Sequence, residues 1–151
     1  MNRDVYENCR NFKKKYPMTV AWRLKQHASV VQKHLNDDEV VLYTFTGQKN
    51  SNFFSPFFTT VIVLTNKRML LGRKKYLGRS EYYSITPDML NDFEIKTSIF
   101  FGIVEIDTIK ETFSMNCIDK RALTDIEDAI SKYLINEKLK MLRNNKKGSE
   151  E

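Results

Sequence analysis

The chain has 151 residues, 41% of them hydrophobic and 29% charged, which fits one ordinary folded domain with extensions and excludes collagen-like, mucin-like and wholly disordered classes. Two cysteines, Cys9 and Cys117, are too few for a disulfide framework or a cysteine-based zinc site, and a chain this long buries a core without either. The net charge of +6 favours anionic partners and sits in two blocks: eight cations against two acids in residues 1–36, and six against one in residues 67–86.

The first twenty residues mix acids and bases and lack the apolar stretch of a secretory signal. The longest apolar run, Val61-Ile62-Val63-Leu64, is far short of the roughly 18 residues of a membrane span. The expected location is therefore cytoplasmic, with peripheral attachment to the inner membrane face as the variant. Residues 1–36 are predicted to form a helical extension. Asp4 and Glu7 have capping-box spacing, Val5, Phe12 and Tyr16 follow at helical intervals, and Pro17 interrupts. A second helix is read from the stripe Val20, Leu24, Ala28, Val31 and Leu35, ending at Asn36-Asp37-Asp38.

From residue 39 to 118 the period changes. Seven β-type segments are read, near 39–46, 57–65, 67–74, 79–85, 92–97, 101–108 and 111–118. Phe113, Met115 and Cys117 alternate with polar neighbours as in a half-buried strand. Thr65-Asn66-Lys67-Arg68 reads as a tight hairpin in which Asn66 tolerates positive φ. Residues 119–143 return to helical period, with Asp119 or Thr124 as cap and Leu123, Ile126, Ile130, Tyr133 and Leu134 as the buried stripe. Residues 144–151 are polar and expected to fray. The predicted fold class is α+β, mainly β: a seven-stranded, partly open barrel (residues 37–143) plugged by its C-terminal helix and preceded by the helical extension.

Val63-Leu64-Thr65-Asn66-Lys67-Arg68-Met69-Leu70-Leu71 resembles the "vLTnkRlll" hairpin of bacterial PH-like and GRAM-like domains. Leu35-Asn36-Asp37-Asp38-Glu39-Val40-Val41 is similar to their "L-x-x-x-E-x-V" entry to the first strand. The nearest group is the YokE-like bacterial PH domains, over roughly residues 35–136. The resemblance implies that the loops after the first, third and sixth strands gather at the open end of the barrel. They carry Lys49, then Arg73, Lys74, Lys75 and Arg79, then Lys110, a candidate anion-binding set. The basic K-x(n)-K/R-x-R signature of phosphoinositide-binding PH domains is missing, since Lys49 stands alone and the second strand has no cation. Arg68 reads as a structural anchor.

No catalytic constellation emerges. His27 and His34 lie seven apart without a third ligand, no glycine-rich phosphate loop or nucleophile elbow occurs, and neither a cofactor, a metal nor a small-molecule substrate is foreshadowed. Phe53 and Phe54 in the first loop read as a membrane wedge or as a lid folded back on the core. Phe12, Tyr16 and Trp22 are candidate partner-surface residues, because the two helices present more apolar surface than solvent-facing helices need. Lys13-Lys14-Lys15 beside those aromatics permits nucleic acid, the weakest of the binding readings. The leading expectation is a non-catalytic interaction or scaffolding module with a protein partner or a second copy. Charge-driven attachment to anionic lipid is the alternative.

Overall fold

A computed structural model describes residues 3–49 and 55–150. Two helices, α1 (Val5–Lys15) and α2 (Leu24–His34), precede seven strands. These are β1 (Val41–Lys49), β2 (Thr59–Thr65), β3 (Met69–Lys74), β4 (Ser80–Ile85), β5 (Leu90–Thr97), β6 (Gly102–Thr108) and β7 (Thr112–Ile118), and a long helix, α3 (Leu123–Glu150), closes the order. Every strand overlaps the segment predicted for it.

The strands form one antiparallel sheet in the order β4-β3-β2-β1-β7-β6-β5. β1 meets β7 only at Gln48–Asn116 and Lys49–Met115. The sheet therefore closes at one end and parts along the rest of β1, giving a partly open barrel. α3 fills the opening, with Ile126, Ile130 and Tyr133 buried in one core with Phe45, Ile62, Val104 and Ile106.

The N-terminal helices pack against the sheet. They cover the outer face of the β1–β3 region through a second core of Val5, Cys9, Ala28, Val31, Leu35, Val41, Val61, Val63 and Leu70. β2 is consequently buried on both faces, which explains why its sequence is a continuous apolar run instead of an alternation. Gly72 on β3 permits the close seating of α2: a Cβ there would lie 2.7 Å from Val31 Cγ2. Phe12 and Tyr16 roll inward and join the main core, with the Phe12 ring 5.1 Å from Tyr16 and 6.5 Å from Phe45.

Local details depart from the sequence reading. Val20 is outside α2, which begins after Arg23 in left-handed conformation (φ 49°). Residues 18–22 form a strap instead: Val20 N donates to Cys117 O at 2.9 Å, and Trp22 N donates to Thr59 Oγ1 at 2.9 Å. The first of these bonds occupies a β7 carbonyl that the divergence of β1 leaves open. In the β2–β3 turn, Asn66 does not take positive φ. Thr65 Oγ1 accepts from Lys67 N and Arg68 N at 3.1 and 3.0 Å, so the hydroxyl holds the turn. The alternation in β7 fails at its end, where Cys117 takes φ 58° and Asn116, Cys117 and Ile118 are all buried. Asp119 caps a short turn ahead of α3 through Arg121 N at 3.0 Å, whereas Thr124 lies inside the helix. Residues 144–150, expected to fray, continue α3.

Candidate functional site

The strand register gathers the end of β1, the β3–β4 turn and the β6–β7 turn at one end of the barrel, since Lys49 pairs with Met115, Gln48 with Thr59 and Val61 with Gly72. All six predicted anion-binding cations lie on these segments, but they divide into two groups. Lys49 and Arg73 turn onto Glu81. Lys49 Nζ lies 3.0 Å from Glu81 Oε1, Arg73 Nε bonds Glu81 Oε2, and Tyr83 donates its hydroxyl to Oε1 at 2.5 Å. Arg73 also donates to Phe57 O at 2.9 Å and stacks over the Phe58 ring at 4.8 Å. Burial alone would raise the Glu81 carboxyl, but hydrogen bonds from Tyr83, Lys49 and Arg73 outweigh it and bring the pKa down to about 2. This partly buried cluster is charge-compensated, so Lys49 and Arg73 act as braces within it.

Lys74, Lys75, Arg79 and Lys110 are different. Among the described residues their side chains make no hydrogen bond or ion pair. The first three flank the apex of the β3–β4 turn, where Tyr76 is 65% and Leu77 79% exposed. Tyr76 rests edge-on against Phe57 at 5.4 Å. Leu77 adopts φ 60°, ψ 33°, followed by Gly78 at φ 75°. Left-handed backbone at a branched L-residue costs roughly 1–2 kcal/mol, and exposing its side chain adds nothing favourable in water. At the β6–β7 turn, Ile109 is 61% exposed beside Lys110. The apolar tip has a signal in the sequence that charge counting does not capture, the dipeptide Tyr76-Leu77 set between Lys74-Lys75 and Gly78-Arg79. Phe53 and Phe54 lie outside the described residues.

His27 is fully buried beneath this end. Its Nδ1 accepts from Lys74 N at 2.8 Å, which leaves the proton on Nε2, donated to Pro56 O at 2.7 Å. Burial lowers the imidazole pKa to about 4. The neutral ring thus ties α2 to the end of β3 and to the entry of β2. His34 instead stacks on Tyr82 at 3.8 Å, so the two histidines share no ligand position. Among the described residues no group of three His, Cys, Asp or Glu could hold a metal, and no helix is long and apolar enough to cross a membrane.

The predicted partner surface shrinks. Phe12 and Tyr16 are 5% and 6% exposed and serve the core, because the gap beside β1 needs large side chains to fill it. Trp22 alone stays at the surface, lining a groove with Met18 and Phe101. The lysine run is partly engaged as well: Lys13 donates to Pro17 O at 2.7 Å, at the C-terminal end of α1, and Lys15 pairs with Asp125 at 3.0 Å. Arg68 is the structural anchor expected, donating to Glu39 at 2.7 Å, His34 O at 2.8 Å, Ser84 at 3.0 Å and Tyr82 at 3.1 Å.

The bacterial PH domain family matches residues 35–132, and the chain belongs to that family. PH-like domains are in general non-catalytic modules that bind proteins or lipids. Among solved structures, the chain is similar to a DUF1696 family protein with a pleckstrin-homology domain from Shewanella loihica PV-4. The identity is 16%, covering 69% of this chain and 86% of that one at a TM-score of 0.48. It is also similar to a pleckstrin homology domain from Shewanella amazonensis SB2B, at 17% identity over 69% of this chain and 82% of that one, with a TM-score of 0.46. No curated protein matches.

Proposed function

We propose that this PH-like domain is a non-catalytic module that attaches to anionic membrane surfaces through its β3–β4 turn. The observation that carries the reading is the apex itself: Tyr76 and Leu77 exposed at 65% and 79%, with Lys74, Lys75 and Arg79 around them, unpaired among the described residues. An apolar tip inside a cationic collar fits the boundary between acyl chains and acidic headgroups. The tip leaves water while each cation near the surface contributes about 1 kcal/mol. The lone Lys49, engaged with Glu81, favours general acidic lipid over one specific inositide headgroup. Protein interaction, the leading expectation from the sequence, loses Phe12 and Tyr16 as contact residues and keeps Trp22.

The test is co-sedimentation with neutral phosphatidylcholine vesicles and with acidic phosphatidylglycerol vesicles. Acid-dependent binding that survives near 0.15 M salt, where the Debye length is about 8 Å, supports the reading. Its loss in the triple variant Lys74→Glu, Lys75→Glu, Arg79→Glu places the site at the turn. Absence of binding even at low salt overturns it.

A further inference from the structure

α3 is longer than the barrel requires. Its buried residues end at Tyr133, and every side chain from Lys138 to Glu150 is exposed. A helix continuing into water for some four turns is marginal without a partner. The exposed part is nevertheless patterned. Ile135, Leu139 and Leu142, at 58%, 48% and 51% exposure, follow i, i+4, i+7 spacing. At 100° per residue, Asp128, Lys132, Ile135, Leu139, Leu142 and Lys146 fall within a stripe about 80° wide. The stripe lies on the side of α3 opposite Ile126, Ile130 and Tyr133, so it faces away from the barrel.

Reversed about its middle, this stripe sets opposite charges at its ends and apolar side chains at its centre. About a centre at residue 137, Asp128 stands opposite Lys146, Ile135 opposite Leu139, and Lys132 opposite Leu142. A parallel pairing in register would instead set Asp128 against Asp128 and Lys146 against Lys146. Neither Asp128 nor Lys146 has a side-chain ion pair among the described residues.

We propose that the outer face of α3 is the seam of a two-fold homodimer, in which a second copy of this chain packs its own α3 antiparallel. Ile135 and Leu139 of each copy form the apolar centre, the Lys132 stem lies along Leu142, and an Asp128–Lys146 pair closes each end. The occupant is a second copy because the reversed stripe sets Ile135 on Leu139 at its centre and Asp128 on Lys146 at each end, with Lys132 meeting Leu142 through its methylene stem. The seam runs about 27 Å from Asp128 to Lys146. One helix pair of that length buries less than a standard interface of about 1,600 Å², so the dimer is concentration-dependent. It is independent of the membrane reading.

Sedimentation equilibrium of the full chain tests this. The expected result is a mass rising from monomer toward dimer across roughly the micromolar range, abolished by Leu139→Glu. D128K and K146D should each weaken association by about tenfold or more, and the double variant D128K/K146D should restore it. All four variants change exposed positions, so an unchanged circular dichroism spectrum separates lost association from lost folding. A monomer at every concentration, an unimpaired dimer in Leu139→Glu, or a double swap no better than the single changes overturns the proposal. So does a Lys146→Cys chain that crosslinks efficiently to itself across the dimer, which reports parallel packing.

Discussion

Leu77 and His27 show how single side chains at this end of the barrel trade stability against exposure. Leu77 holds left-handed backbone with its side chain in solvent, an arrangement with no folding benefit in the isolated chain. Leu77→Gly should therefore leave thermal stability unchanged or raise it by about 0.5–1 kcal/mol, while weakening binding to acidic vesicles. Calorimetry and co-sedimentation on one preparation check both halves. His27 is neutral when folded, with its pKa lowered by burial from 6.5 to about 4. The unfolded chain binds a proton in that interval that the folded one refuses, so stability is full above pH 6.5 and falls as pH drops toward 4. The loss is on the order of 3 kcal/mol, read from urea midpoints, and His27→Gln should flatten the slope in that window. Glu81, whose pKa is brought down from 4.5 to about 2, adds its own loss as pH falls below about 4.5, so the decline above that pH reports His27.

At the scale of elements, the Arg68–Glu39 ion pair ties the β2–β3 hairpin to its neighbours. Arg68 joins the hairpin to Glu39 ahead of β1, to the last carbonyl of α2 and to two hydroxyls of β4, while the Glu39 side chain is fully buried. Burial opposes ionisation of Glu39, but hydrogen bonds from Arg68 and Thr65 hold its pKa below the usual value. Arg68→Met should cost about 3–5 kcal/mol by stranding that carboxylate, whereas Arg68→Met with Glu39→Leu should cost less. Denaturant titration of both variants separates the stranded charge from the lost packing. The seating of α2 on β3 has a comparable single point. Gly72→Ala meets the stiff Val31 side chain and should cost about 1–3 kcal/mol, with Val31→Ala recovering part of it.

At the scale of the molecule, two layers bury the sheet: the helix pair outside β1–β3, and α3 inside the barrel opening. Strand number and approximate bounds, the closing helix and the turn at Thr65–Arg68 were legible in the sequence, because period, glycines and turn residues act over a few positions. Membership of the PH-like class was legible too, from the residues of that hairpin. The strap of residues 18–22 was not, since Val20 fits a helical stripe and its true partner, Cys117 O, is remote in sequence. Nor was the inward turn of Phe12 and Tyr16, whose burial depends on a gap between β1 and β7 that no local pattern records. The basic block from Lys67 to Arg79 shows the same division. Its composition determined that an anionic partner was the physical expectation, but only the tertiary structure decided which cations remain for it. Arg68 and Arg73 meet carboxylates brought from other strands or loops, and Lys74, Lys75 and Arg79 surround a turn that meets none among the described residues. Local pattern and charge are properties of the chain itself; compensation of charge and burial of a face depend on what folding brings alongside.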